Sequence, residues 1–444
     1  MTKNDVYERI AESARFGNLG LFIGSGFSKA LFEIENLDQN ARPLTWIELL
    51  KEIGSNMNVE LDEKMIKFHS CPEIASIMCK KIAKKDNIPV AEARTRMKNL
   101  ISQLTCWYSN QMQRFCFGVH VEELKPEWII TTNYDLLLES LLPDNFISLS
   151  TKDSFITQNG VLPIYHLHGI RTDPNSIIIT NEDYIKLFRP NSYNLQKLSF
   201  TINESTTLMM GYSIGDPNVL TAIDWSENIY TQNKEYYPNG VIQLAYSDAE
   251  DDGKVVISEE GIIILKTSSL LKSIKDITKV IKQRYKWEQS PLNGEAKHRF
   301  SLVSISEPNT DKFINDHSYR IESLTMVNDN HLSTSEDNLL FLYKIFDECW
   351  NDIDTKDSGK PFKKILEIIL DIFKYVNFDK RKPSLFELLT SNLCKVFRQI
   401  KNNIDANADT LKLWSNRKIE ISYKIHEEIK QYVKCNGYDD IDII

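Results

Sequence analysis

Leu19-Gly20-Leu21-Phe22-Ile23-Gly24-Ser25-Gly26-Phe27-Ser28 decides the class of fold. An apolar run closed by glycines reads as a buried strand, a tight turn and the start of a helix. Upstream, residues 3–16 have the pattern of a helix entering the fold. Downstream, Thr45-Trp46-Ile47-Glu48-Leu49-Leu50 is amphipathic, with Thr45 as N-cap and Glu48 three residues later at the capping-box spacing. Residues 71–117 are rich in Ala, Lys, Arg, Met and Leu and nearly free of glycine and proline, so this stretch is helix-rich.

From Trp128 the pattern changes. Short apolar runs at 128–131, 164–167, 176–180, 207–210, 241–246 and 261–265 predict strands, several of them separated by helical patterns. Such alternation predicts an α/β, Rossmann-like domain with a mostly parallel sheet. Residues 268–287 form its last predicted helix. The run Gln289-Ser290-Pro291-Leu292-Asn293-Gly294 and the later Glu307-Pro308-Asn309 have linker chemistry. Beyond about 335, helical patterns at 338–350, 362–376, 384–400 and 419–433 predict an all-α region of four or five helices. The expected organisation is a nucleotide-binding domain at 1–288, a linker and irregular segment at 289–335, and a helical domain at 336–444, for oligomerisation or partner docking.

Composition sets the outer limits. The chain has 444 residues, which favours two or three domains. A net charge of −9 argues against direct nucleic-acid binding, which needs a basic surface to release counterions. The first residues lack an apolar signal core, and no stretch reaches the roughly 18 apolar residues of a membrane span, so a cytoplasmic location is expected. The seven cysteines are scattered and include no C-x-x-C pair, which fits reduced structural thiols and no zinc ribbon.

Four polar clusters follow predicted strands. Gly24, Ser25, Gly26 and Ser28 open a helix, where glycines admit a close approach and the helix N-terminus favours a pyrophosphate. Lys29 replaces the third glycine of the full fingerprint, and the turn reads equally as a plain strand–helix junction. Thr131-Thr132-Asn133-Tyr134-Asp135 places Asn133 and Asp135 at the carboxyl end of the second strand. There they face a ligand or cap the helix expected from Leu136, and the two roles are compatible. Tyr165-His166-Leu167-His168-Gly169 places two histidines on one side of a strand end, where His168 can serve as a base near neutral pH or both can be satisfied edge residues. No third ligand at sensible spacing supports a metal site. In Met210-Gly211-Tyr212-Ser213-Ile214-Gly215-Asp216-Pro217, Asp216 and Pro217 are a helix cap and first helical residue, leaving Gly211 and Ser213 for a ribose or adenine.

In this order the four motifs resemble the sirtuin family over about residues 10–285, and most of all its bacterial branch of antiphage-defence NAD-degrading effectors. The resemblance implies a pyrophosphate turn at Gly24, Ser25, Gly26 and Ser28. It implies a nicotinamide-ribose and water-positioning pair at Asn133 and Asp135, a catalytic base at His168, and an adenosine-side turn at Gly211 and Ser213. Asn181-Glu182-Asp183-Tyr184 is similar to a segment common in that branch. The four zinc cysteines and the Gly-Ile-Pro-x-Phe-Arg run of the protein-deacylating members are missing; residues 30–45 read otherwise. The resemblance therefore implies hydrolysis of NAD to nicotinamide and ADP-ribose, with NAD as substrate and no metal. An NAD-dependent deacylase or ADP-ribosyltransferase, and a non-catalytic NAD- or ADP-ribose-sensing module, are the competing readings. Because uncontrolled NAD loss is toxic, the resemblance also implies a homo-oligomer held silent until a separate sensor subunit activates it.

Overall fold

The computed structural model describes residues 1–33, 43–142, 146–153, 160–187, 196–197, 200–202, 204–212, 240–258, 261–284, 310–329, 336–351, 360–378, 383–401 and 407–438. The chain divides into two compact units, one built from Met1–Thr105, Met112–Leu137 and Asn145–Lys286, the other from Cys106–Gln111, Leu138–Asp144 and Trp287–Ile444.

The first unit is an α/β layer structure. Its strands are β1 (Leu19–Ile23), β2 (Trp128–Thr131), β3 (Phe146–Ser150), β4 (Leu162–His166), β5 (Thr206–Met210), β6 (Val241–Tyr246), β7 (Val255–Ile257) and β8 (Ile263–Thr267). Among the described residues they form an eight-stranded sheet in the order β3-β4-β2-β1-β5-β6-β8-β7. All neighbours are parallel except β7 and β8. Every residue of β1, β2 and β5 is buried, as expected where helices cover both faces of a parallel sheet. Gly20 of β1 is fixed by its partner in β2: a Cβ there would lie 1.9 Å from the Trp128 ring. The indole thus fills the space a side chain on β1 would take.

Helix α1 (Lys3–Arg15) packs against the helix Leu270–Arg284 on this sheet, and Ser13 donates a 2.7 Å hydrogen bond to Thr206 Oγ1 of β5. Helix α2 (Ser25–Phe32) follows β1 directly. Between β1 and β2 the chain builds a helical lobe from α3 (Trp46–Met57), α4 (Glu63–Phe68), α5 (Cys71–Asp86) and α6 (Val90–Leu104). The Thr45–Glu48 capping box starts α3 as its spacing predicts. The lobe has its own apolar core, including Leu50, Ile53, Ile74, Met78, Met97 and Ile101, into which Tyr134, Ile177 and Ile179 also pack.

That last packing corrects one expectation. Residues 176–180 are not a strand: Pro174–Ser176 is a 3-10 turn, and the following isoleucines run outside the sheet. Ile177 and Ile179 are buried against the helical lobe, and Ile178 N–H donates to the His168 carbonyl at 2.8 Å. The apolar run is real, but helices bury it. Strands β3 and β7 were not foreseen. The first is a short run, Phe146-Ile147-Ser148-Leu149-Ser150, with two serines among its five residues, and the second is a three-residue edge strand, mostly exposed.

The second unit is helical. Beyond residue 335 it contains Glu336–Asn351, Lys360–Tyr375, Pro383–Lys401, Ala408–Arg417 and Tyr423–Cys435. Residues 310–329, read from sequence as part of a connecting stretch, are helical too, as Thr310–Asn315 and His317–Asp329. The linker signals at 289–309 lie outside the described residues. Two short segments from the first half of the chain fold into this unit. Ser384 Oγ donates to the Ser140 carbonyl at 3.1 Å, and Asn436 Nδ2 donates to the Cys106 carbonyl at 3.1 Å. At the centre, Asp371 is wholly buried between Arg320 (2.7 Å) and Arg417 (2.9 Å), with His317 at 3.5 Å.

Candidate functional site

The sheet order reverses at β1, with β2 and β4 on one side and β5 on the other. In open α/β sheets such a switch point makes a crevice outside the carboxyl ends of the strands. Register brings the ends level: Ile23 pairs with Thr131 and with Met210, and Thr131 pairs with His166. The residues after this row are Gly24, Thr132, Leu167 and Gly211, so the four sequence motifs leave the sheet together at one edge.

The Gly24–Gly26 turn is pressed against the exit of β5. Gly24 N–H donates to the Met210 carbonyl at 3.0 Å, and Gly26 N–H donates to the Gly211 carbonyl at 2.8 Å. A Cβ on Gly26 would lie 2.9 Å from that carbonyl oxygen, and one on Gly211, whose φ is +63°, would lie 1.9 Å from Phe27 N. Close passage of chain against chain therefore demands these glycines, whatever ligand the turn also serves. Ser25 is half-buried in the first turn of α2. Ser213 and Asp216 lie outside the described residues.

Asn133 and Asp135 meet the same turn through Ser28. Asn133 Nδ2 donates to Ser28 Oγ at 2.9 Å and to the Gly24 carbonyl at 3.2 Å; Ser28 Oγ donates in turn to Asp135 Oδ2 at 3.2 Å. Asp135 Oδ1 accepts the Leu137 N–H at 3.1 Å, the start of the helix Leu137–Leu141, so Asp135 does cap the helix while reaching the turn. All three side chains are buried.

The two histidines separate. His166 is the last residue of β4, and its Nδ1 lies 3.0 Å from the Asn133 carbonyl. His168 stands two residues further on, in a turn. Strand alternation therefore does not extend to it. The residue is 1% exposed, and its ring lies in edge-on contact with Tyr184 and Trp46, at centroid distances of 5.2 and 6.1 Å. The Tyr184 hydroxyl is 3.3 Å from His168 Nε2 and 3.5 Å from Nδ1. Gly169 has φ +86°, and a Cβ there would strike the Ser176 carbonyl at 2.3 Å; the turn after His168 is closed by the protein itself.

Asp183 belongs to the support of this wall. Its Oδ2 accepts from Thr180 N (3.2 Å) and Thr180 Oγ1 (3.0 Å), and its Oδ1 accepts from Lys98 Nζ at 2.9 Å. Burial pushes the carboxyl up, but the Lys98 hydrogen bond and charge and the Thr180 groups outweigh it and hold Asp183 below its ordinary range. Burial also pulls Lys98 below its ordinary value, against the attraction of Asp183. Sequence reasoning missed Trp46, Lys98 and the buried Arg171, whose Nε donates to the Ser102 carbonyl at 3.1 Å. The capping box marks where Trp46 stands on its helix, but no local signal links it to a histidine more than a hundred positions away. Among the described residues no group of three or more His, Cys, Asp or Glu side chains is placed to hold a metal ion.

A parallel sheet with polar turns gathered across its switch point is a nucleotide-binding type of α/β architecture. Residues 127–262 match the SIR2-like domain family, a span that takes in Asn133, Asp135, both histidines and Gly211. Among curated proteins, the NAD(+) hydrolase ThsA of Enterococcus faecium is 25% identical over 242 residues, covering 51% of this chain and 44% of that protein. The aligned part thus spans less than half the length of that relative.

Proposed function

We propose that this chain hydrolyses NAD to nicotinamide and ADP-ribose. The observation that carries the reading is the level row of four strand ends, which gathers Gly24–Ser28, Asn133, Asp135, His168 and Gly211 at one edge of a SIR2-like domain. The name of the Enterococcus faecium relative supports the same reaction. The N-terminus of α2 would stabilise the pyrophosphate, with Ser25 at its first turn and Gly211 on the adenosine side. Asn133 Nδ2 holds the turn, so its Oδ1 is the atom that would orient a water or a ribose hydroxyl. Departure of nicotinamide leaves an oxocarbenium-like ribose; water adds to the anomeric carbon and gives up a proton, which His168 would accept as general base. Catalysis would come largely from positioning.

The biological reading follows the resemblance: an antiphage-defence effector that depletes NAD when a partner activates it. The helical unit would serve oligomerisation or partner docking. No described helix is long and apolar enough to cross a membrane.

His168→Gln tests the chemistry. Nicotinamide release from NAD should fall by about 10²–10⁴-fold, the usual contribution of a general base, with the circular dichroism spectrum unchanged. Wild-type turnover by a folded variant would remove His168 from the mechanism. NAD loss that depends on an acylated peptide would favour the deacylase reading instead.

A further inference from the structure

We propose that Trp46 is the nicotinamide-side specificity residue of this site: its indole carries the pyridinium ring of NAD and favours the oxidised dinucleotide over the reduced one. The proposal rests on the reading of the chain as an NAD hydrolase, and it names the surface that meets the leaving group.

Two contacts place Trp46. It is the first residue of α3, started by the Thr45–Glu48 capping box. Glu48 Oε2 accepts the Thr45 N–H and hydroxyl, each at 2.7 Å, and also lies 3.8 Å from Lys29 Nζ. Lys29 follows Ser28 on α2, so the start of α3 is tied to the helix proposed to hold the pyrophosphate. On its other side the indole meets the His168 ring at 6.1 Å and the Tyr184 ring at 6.4 Å. Trp46 thus stands between the helix of the pyrophosphate turn and the proposed base. The nicotinamide ribose of NAD spans the same two points. Its pyrophosphate is at one end. At the other is the anomeric carbon, which nicotinamide leaves and to which the water deprotonated by His168 adds. The leaving ring therefore falls beside Trp46.

The other rings at this edge are engaged elsewhere. His168 and Tyr184 are buried. Tyr134 packs into the core of the helical lobe, and its hydroxyl donates to the Ile178 carbonyl at 2.7 Å. Phe27 packs on Phe117 at 4.9 Å, and Tyr212 packs on Phe22 at 5.1 Å, next to Gly211 on the adenosine side. Trp46 is only partly buried and keeps surface for a ligand. An indole face attracts a cation lying over it, more strongly than the other aromatic side chains do. The nicotinamide ring of NAD is a pyridinium cation, and that of NADH is uncharged, so one contact separates the two. Cleavage turns the pyridinium into neutral nicotinamide, and the contact is strongest before it. Its loss should raise KM without lowering kcat.

The test uses the full-length chain as wild type, Trp46→Phe and Trp46→Leu, with NAD, NADH and ADP-ribose as ligands. Affinities are read by calorimetry without turnover, with His168→Gln added to each where the isolated chain cleaves NAD. The ring contact is read by difference absorption after rapid mixing, as an indole–pyridinium charge-transfer band. ADP-ribose, which has no nicotinamide, cannot give that band, and the two variants show which of the seven tryptophans does. Trp46→Leu should bind NAD roughly tenfold more weakly, and Trp46→Phe about threefold. NADH and ADP-ribose should stay within about twofold, since neither brings a cationic ring. The band should appear with NAD in wild type and vanish in both variants. Equal losses for all three ligands, or a fall in kcat at unchanged KM, give Trp46 a structural role; they overturn the proposal and leave the NAD reading standing. Wild type that binds NAD without the band, or binds NADH as tightly as NAD, overturns it even if the variants fail to fold. A wild-type chain that binds no NAD removes the hydrolase reading together with the proposal.

Discussion

At the carboxyl edge of the sheet, the buried side chains of Asn133, Ser28 and Asp135 are joined to one another and to the backbone by hydrogen bonds. In the helical unit, Asp371 is held by charge, with Arg320 on one oxygen and Arg417 on the other. This carboxylate, shared by two guanidinium groups, ties three helices to one another. The edge is organised otherwise. Asn133, Ser28 and Asp135 pass hydrogen bonds along a chain, and His168 sits among aromatic rings. The Lys98–Asp183 pair stands between these cases: a charged fastening placed directly behind the wall that carries Tyr184. Charge pairing thus fastens one region, and a chain of side-chain hydrogen bonds joins the other.

The sharpest way to break this contrast is Asp371→Ala. It leaves Arg320, 3% exposed at its side chain, without its counter-charge. Loss of one partner of a buried pair costs about 3–5 kcal/mol, and urea unfolding monitored in the helical unit should show it. A loss near zero would mean that the cluster is solvated and the contrast is wrong. Asp183→Asn should have a smaller effect, on the order of 1–3 kcal/mol at neutral pH, and it carries a pH signature. The folded carboxyl lies below its unfolded value of 3.8, so its contribution is present above that pH and is lost as pH falls through the folded value. The stability gap between wild type and variant should therefore narrow in urea melts below pH 3.8. A gap that widens in acid would contradict the assignment. Thr45→Ala is the mildest: removing the cap of α3 should cost about 1 kcal/mol, seen as a small fall in melting temperature. Because Thr45 sets the entry of Trp46, a folded Thr45→Ala protein should also show altered tryptophan fluorescence.

Much of the first unit was legible because its signals are local. The run from Leu19 to Ser28 contains a strand, its turn and its helix within ten residues, and the Thr45–Glu48 capping box is read from two side chains three apart. Residues 176–180 were misread for the complementary reason. Apolar periodicity reports that a segment is buried and leaves open whether strands or helices bury it. For Ile177 and Ile179 the burying surface is the lobe formed by residues more than seventy positions earlier.

The candidate site divides along the same line. The sequence by itself determined which residue types stand at the strand ends: the glycines, the Asn133–Asp135 pair, the two histidines. It also determined that the sheet is mostly parallel, since strands alternate with helices along the chain. Only the tertiary structure decided that the four ends lie in one row and that Gly26 and Gly211 must lack side chains because they touch. It alone decided that Ser28 joins Asn133 to Asp135, that Tyr184 and Trp46 gather around His168, and that Lys98 pairs with Asp183. Register, close approach and buried charge pairing depend on groups distant in sequence and adjacent in space, and no local pattern of residues encodes that adjacency.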